Sequence, residues 1–185
     1  MRSRALIRLL LAATFILVLG NPASRAQGAA ATESALKAAF IYKFASFVEW
    51  PAGTFTRPDQ PLVIAVSGDE TIAADLEQQV AGRTVEGRPV VIRRVGDNAA
   101  ATGAHIVFFS ERREARLREA IEAVTGPVVI VTEQPNALRL GSVINFSSEG
   151  ARVRFSASIS TAEARNLKLS ARLLAVAQTT EGRSR

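Results

Sequence analysis

One histidine, no cysteine and a scatter of carboxylates bound the chemistry open to this chain of 185 residues. His105 stands directly before the apolar run Ile106-Val107-Phe108-Phe109. A single imidazole does not make a His-rich metal site. A Ser-His-Asp triad needs its serine on a nucleophile turn, and no G-x-S-x-G occurs. At a strand start, His105 therefore reads as structural. The absence of cysteine removes thiolate nucleophiles, thiol redox chemistry and Cys-based metal sites. Neither a G-x-x-x-x-G-K-[ST] loop nor a G-x-G-x-x-G after a strand is present. Asp69-Glu70 is the one adjacent pair of acids, and it reads as a helix N-cap followed by a first-turn acid. No catalytic residue, metal ligand or cofactor is expected from this inventory. A hydrolase working through Asp69 and Glu70 is the remotest reading of the chain.

The compartment is legible at the N-terminus. Arg2, Arg4 and Arg8 make a positive start, and Leu9 to Leu19 is apolar apart from Thr14. Asn21-Pro22 breaks the run, and Ser24-Arg25-Ala26 puts small residues three before and one before Gln27. That is the layout of a cleavable export signal over residues 1–26, and it is shorter than the roughly 20 apolar residues of a membrane span. The leader removes four arginines and no acids. The formal charge of +6, from 23 basic and 17 acidic residues, thus falls to +2. A nucleic-acid partner is not expected on that balance. The remaining chain, 27–178 with a frayed tail from 179 to 185, is large enough for one domain with its own core.

Helical and strand signals alternate along it. Leu36, Phe40, Phe44 and Phe47 mark one face of a helix over 33–49, ended by Trp50-Pro51 because the residue before proline avoids the helical region. Leu62–Val66 is a buried strand, and Ser67-Gly68-Asp69 turns into a helix over 70–81. Strands follow at 89–95, 106–109 and 128–131, with Ser110 capping a helix over 111–124. Residues 143–147 and 152–158 alternate as an antiparallel hairpin. Ser160-x-x-Glu163 reads as a capping box for a last helix running toward Gln178, with Asn166 interrupting its start by a left-handed conformation. The fold class is α/β: a central, mostly parallel sheet of about six strands with helices on both faces, ending in an antiparallel hairpin and a C-terminal helix.

Two stretches are more specific. One is Leu36-Lys37-Ala38-Ala39-Phe40-Ile41-Tyr42-Lys43-Phe44-Ala45-Ser46-Phe47-Val48-Glu49-Trp50-Pro51. The other joins Gly141-Ser142-Val143-Ile144-Asn145-Phe146, Gly150-Ala151-Arg152-Val153-Arg154-Phe155 and Asn166-Leu167-Lys168-Leu169-Ser170-Ala171-Arg172-Leu173-Leu174. In order and spacing they resemble the YfiR-like family of exported bacterial proteins. That family opens with K-A-x-F-I-Y-x-F-x-x-F-V-x-W-P and closes with G-x-x-I-N-F, a hairpin ending R-x-R-F, and G-L-K-[LI]-S-x-x-L-L. The resemblance implies a sheet with helices on both faces and a homodimer. It implies a periplasmic repressor that binds the periplasmic sensor region of an inner-membrane diguanylate cyclase, with an outer-membrane lipoprotein able to sequester it. Two departures stand out. Familiar members carry cysteines able to form disulfides and this chain has none, so redox control of that kind is missing. Asn166 stands where the family has Gly.

Partner contacts are expected at Trp50, Phe55 and Arg57, since Trp, Tyr and Arg dominate interface energetics. They are also expected along a basic stripe of Arg165, Lys168 and Arg172 at helical spacing. Arg152 and Arg154 are expected to point outward from the hairpin. A different reading makes the protein a periplasmic small-ligand sensor or carrier feeding a membrane sensor such as a histidine kinase. Ligands of doubly wound sheets sit beyond the carboxyl ends of the strands, where Ser67, Gly68, Ser110 and Thr132 stand.

Overall fold

A computed structural model describes residues 32–96, 101–150 and 152–182. The leader expected over residues 1–26 lies outside them. The main sheet has eight strands: β2 (Leu62–Ser67), β3 (Thr84–Val85), β4 (Arg88–Val95), β5 (Ile106–Phe109), β6 (Val129–Thr132), β7 (Ile144–Glu149), β8 (Arg152–Ser158) and β10 (Thr180–Glu181). Their order is β10-β8-β7-β6-β5-β2-β4-β3. Pairing is parallel from β4 through β7, and antiparallel only for the β7–β8 hairpin and the β3–β4 edge. The strands beyond the six expected are the two-residue edges β3 and β10. The tail expected to fray is thus partly ordered, because Thr180 and Glu181 pair with Ala157 and Ser158.

The strand sequences explain why helices cover both faces. Successive side chains of a strand point to opposite sides. Ile64, Val66, Ile106, Phe108, Val129 and Val131 enter one core, and Ala65, Val107, Phe109 and Ile130 enter another. Helices α1 (Glu33–Phe44) and α2 (Glu70–Val80) cover the first face through Ala38, Ile41, Phe44, Ile72 and Leu76. Helix α3 (Glu114–Ala123) covers the second through Leu117 and Ile121. Asp69 caps α2 by accepting from the Ile72 N–H at 2.9 Å, as the sequence suggests.

Three boundaries differ from expectation, each for a local reason. The first helix stops at Phe44 and not at residue 49. One 3₁₀ turn follows, and then β1 (Val48–Glu49), which pairs with β9 (Lys168–Leu169) as a separate two-stranded ribbon. The extended geometry that Pro51 imposes on its approach is stabilised there by pairing. The third helix begins at Glu114 because Ser110 does not cap it: its hydroxyl donates to Glu133 instead, at 2.6 Å. The last helix is two short ones, α4 (Ile159–Ala164) and α5 (Ala171–Val176), with β9 between them. The cap of α4 is Ser158, which accepts from Thr161 N–H, so Ser160 and Glu163 form no capping box.

Asn166 does more than interrupt. It is left-handed, at φ 57°. Its N–H donates to the Glu163 carbonyl, and the Leu167 N–H donates to the Ala162 carbonyl. That is a Schellman ending, in which Asn supplies the left-handed residue more often given to Gly.

Candidate functional site

Residues expected to contact partners or ligands separate into four places. At the carboxyl ends of the parallel strands, the chain leaves β2 through α2 to reach β4, then returns to pair β5 on the other side of β2. This is the switch in strand order where open α/β sheets form a crevice. The crevice here is about 380 Å³ and is lined by Ser67, Gly68, Asp69, Ser110, Arg112 and Arg116, among others. Ser110 N–H donates to the Ser67 carbonyl at 3.0 Å, which holds its walls together. Gly68 supplies a backbone at φ 82°, a conformation L side chains rarely adopt. Three of the four expected ligand residues therefore meet. Thr132 does not join them: it is fully buried, and its hydroxyl is engaged with Asn145 Oδ1 at 2.7 Å and Ser142 Oγ at 2.8 Å.

Next to that crevice lies a polar link the sequence reading missed. Lys37, on α1, is buried and pairs with Glu133 at 2.7 Å and Glu33 at 2.6 Å. Glu133 also accepts from Ser110, and Glu33 from Ser148 at 2.8 Å. Burial alone would lower the Lys37 pKa, but its bonds to Glu133 and Glu33 outweigh that and raise it. The i,i+4 spacing of Glu33 and Lys37 was visible; the contact with Glu133 spans 96 positions and follows only from the fold.

Trp50 and Phe55 are half-buried and belong to an aromatic stack. Phe55 lies face to face on His105 with centroids 4.5 Å apart, and Trp50 meets the Phe55 ring edge-on at 5.9 Å. The Arg88 guanidinium covers the other side of Phe55 at 4.2 Å and donates to the Arg57 and Pro58 carbonyls. The loop from Pro51 to Pro61 is thereby fastened to the sheet. His105 is buried, and its Nδ1 accepts from Val63 N–H at 3.0 Å, which requires a neutral ring. Burial first, and then Arg88, hold its pKa below the ordinary value. Arg57 is exposed, and its guanidinium pairs with Asp59 at 3.3 Å.

The basic stripe expected on one helix does not exist, because β9 and the Schellman turn divide it. Arg165 turns inward and donates to the Val124 carbonyl at 3.0 Å, near the end of α3. Lys168 is exposed on β9, and Arg172 is exposed on α5. The β1–β9 ribbon instead brings Lys168 beside Trp50. Together with Glu49, Pro51, Glu163 and Asn166 they border a depression of about 480 Å³. The Trp50 indole N–H is buried and has no hydrogen-bond partner among the described residues. Arg172 lines a different, apolar groove of about 510 Å³ between α1, β8 and α5.

A family model described as YfiR/HmsC-like matches residues 34–178, from the first turn of α1 to just before β10. The chain belongs to the YfiR/HmsC-like family. Both stretches that carry the sequence resemblance lie inside the match, and they build α1, the β1–β9 ribbon, the hairpin and α5. A search of curated proteins found no match. YfiR-like proteins are periplasmic regulators of diguanylate cyclases and are in general non-catalytic. In this member, the groups with most chemical potential are used by the fold. His105 bonds Val63, Asp69 caps α2, and Glu133 pairs with Lys37.

Proposed function

We propose that this protein is an exported, non-catalytic regulator that binds the periplasmic sensor region of an inner-membrane diguanylate cyclase and holds it inactive. The observation that carries the reading is the family match over residues 34–178, and the surface proposed for the contact is the depression shared by Trp50 and Lys168. These two residues, far apart in sequence, are brought to one surface by the β1–β9 ribbon. It offers a half-buried aromatic ring and an exposed cation, with the carboxylates of Glu49 and Glu163 on the same border, a mixed-charge surface suited to a protein partner. Phe55 supports Trp50 from behind. Arg57 and Arg172, exposed elsewhere on the surface, are separate candidate contacts, and Arg165 acts indirectly by fixing the end of α3. Repression works by population shift: the regulator biases the cyclase only by the difference in its affinity for the two states. A homodimer and a sequestering outer-membrane lipoprotein complete the proposed system.

The test is a photo-crosslinking residue at Lys168, an exposed position whose replacement leaves the core intact, in protein exported by its native host. An adduct with an inner-membrane protein carrying a periplasmic domain supports the reading. Self-adducts alone make this depression the dimer interface, and refute it as the receptor surface.

A second reading, a small-ligand sensor feeding a membrane sensor such as a histidine kinase, is favoured by the switch-point crevice. Its hydroxyls, Ser67 and Ser110, and its arginines, Arg112 and Arg116, suit a small polar ligand. A thermal-shift screen of periplasmic metabolites tests it, since a ligand at 100 times its Kd stabilises by about 2.7 kcal/mol.

A further inference from the structure

The groove between α1, β8 and α5 has a chemistry of its own. Its floor and walls include Phe40, Phe44, Phe47, Phe155, Leu173 and Val176. Phe44 and Phe155 are buried with ring centroids 5.1 Å apart, and Phe40 closes on Phe155 at 5.7 Å. Val176, at the end of α5, stays 66% exposed, unusual for a large aliphatic side chain at the mouth of an apolar cleft. Among the described residues, the charged side chains on the lining are Lys43 and Arg172, which border it through their carbon stems. Both are exposed, and neither makes an ion pair or a side-chain hydrogen bond among the described residues.

We infer that this groove binds a free single-chain anionic amphiphile, its alkyl tail among the phenylalanines and its carboxylate between Lys43 and Arg172. Three observations select that occupant. The volume lies within the range of small-ligand pockets. An extended peptide would bring N–H and C=O groups onto an apolar lining that offers them almost no partners, and unmade hydrogen bonds are costly. A two-fold dimer through this face would set the patch against itself, so Lys43 and Arg172 would meet their own copies with no acid on the lining. An alkyl chain needs no hydrogen bonds, and one carboxylate answers both cations.

The experiment titrates the exported protein, purified from the periplasm, with octanoate, decanoate and dodecanoate below their micellar concentrations. Binding is read by calorimetry, and oligomeric state by sedimentation. Dodecyltrimethylammonium is the matched cationic probe. The expected result is one site whose Kd falls about fourfold for each added methylene. The cationic probe binds at least about tenfold more weakly, and added salt narrows that difference. Val176→Asp, at an exposed position, abolishes dodecanoate binding. Lys43→Glu and Arg172→Glu each weaken it about tenfold, with thermal midpoints close to wild type showing that the fold is intact. Absence of dodecanoate binding at 1 mM overturns the inference. So does equal affinity for the two head groups, or a dimer broken by Val176→Asp in a protein that takes up no amphiphile.

Discussion

Replacing Lys37 by methionine removes the cation that ties α1 to the carboxyl ends of β5 and β6. Lys37 is 9% exposed as a residue, and its ammonium lies 2.7 Å from Glu133 and 2.6 Å from Glu33. Breaking a fully buried pair by deleting one partner costs about 3–5 kcal/mol, because a charge is left behind without its counterion. The Glu133 side chain is 20% exposed and keeps its bond from Ser110, and Glu33 is 54% exposed, so water takes over when Lys37 is gone. The discounted cost is about 2–3 kcal/mol, or about 4–12 °C in Tm for a domain of this size. Lys37→Met combined with Glu133→Gln exchanges both charges for neutral groups of similar shape, and is predicted to recover about half of that loss. The assay is a double-mutant cycle by urea unfolding, with slopes compared so that only midpoints carry the result. A loss below about 0.5 kcal/mol for Lys37→Met, or strict additivity of the two changes, refutes the claim that this buried pair holds α1.

Stability falls in acid in two separate windows. His105 has a depressed pKa in the fold, so the unfolded chain binds more protons as pH drops below its ordinary value of 6.5. His105→Asn, which keeps an acceptor for Val63 N–H, flattens that upper window in pH-dependent melts. Glu33 and Glu111 are held below the ordinary carboxylate value of 4.5, Glu33 chiefly by its bond to Lys37 and Glu111 chiefly by accepting from Arg113 N–H. Their stabilisation is present above 4.5 and lost as pH falls through their folded pKa values, a window His105→Asn leaves unchanged. Asn166→Gly is neutral within about 0.5 kcal/mol, while Asn166→Val destabilises by about 1–2 kcal/mol, because a β-branched residue resists φ 57°; chemical denaturation separates the two. Arg165→Met loses the bond to the Val124 carbonyl and lowers stability by about 1–2 kcal/mol in the same assay.

The sheet was legible because its strands announce themselves. Runs such as Leu62–Val66 and Ile106–Phe109 are apolar on both sides, and only a parallel sheet covered by helices buries both. The hairpin followed from spacing, whereas the order of the strands came only with the structure. The C-terminal third was harder. Asn166 gave a local sign of a break, yet the length of the break depended on β9 finding β1, a pairing across more than a hundred residues. The basic stripe failed for the same reason: its periodicity was real in the sequence, but the helix carrying it was not continuous. Ser110 reads as a cap by type and position, and only the arrival of Glu133 beside it redirects its hydroxyl. The aromatic stack was half visible. Trp50 and Phe55 stood out by type, whereas Arg88 gave no sign that it would cover Phe55. The groove was hidden because Phe40, Phe44 and Phe47 look like core residues, and α5 ends too soon to cover them fully.

Cellular cyclic di-GMP is the most direct measure of what this protein does. The account predicts that deleting the gene in its native host raises the level. It predicts that the exported chain restores it, and that a chain lacking residues 1–26, kept in the cytoplasm, does not. A level unchanged by deletion, under conditions where the protein is abundant in the periplasm, contradicts it.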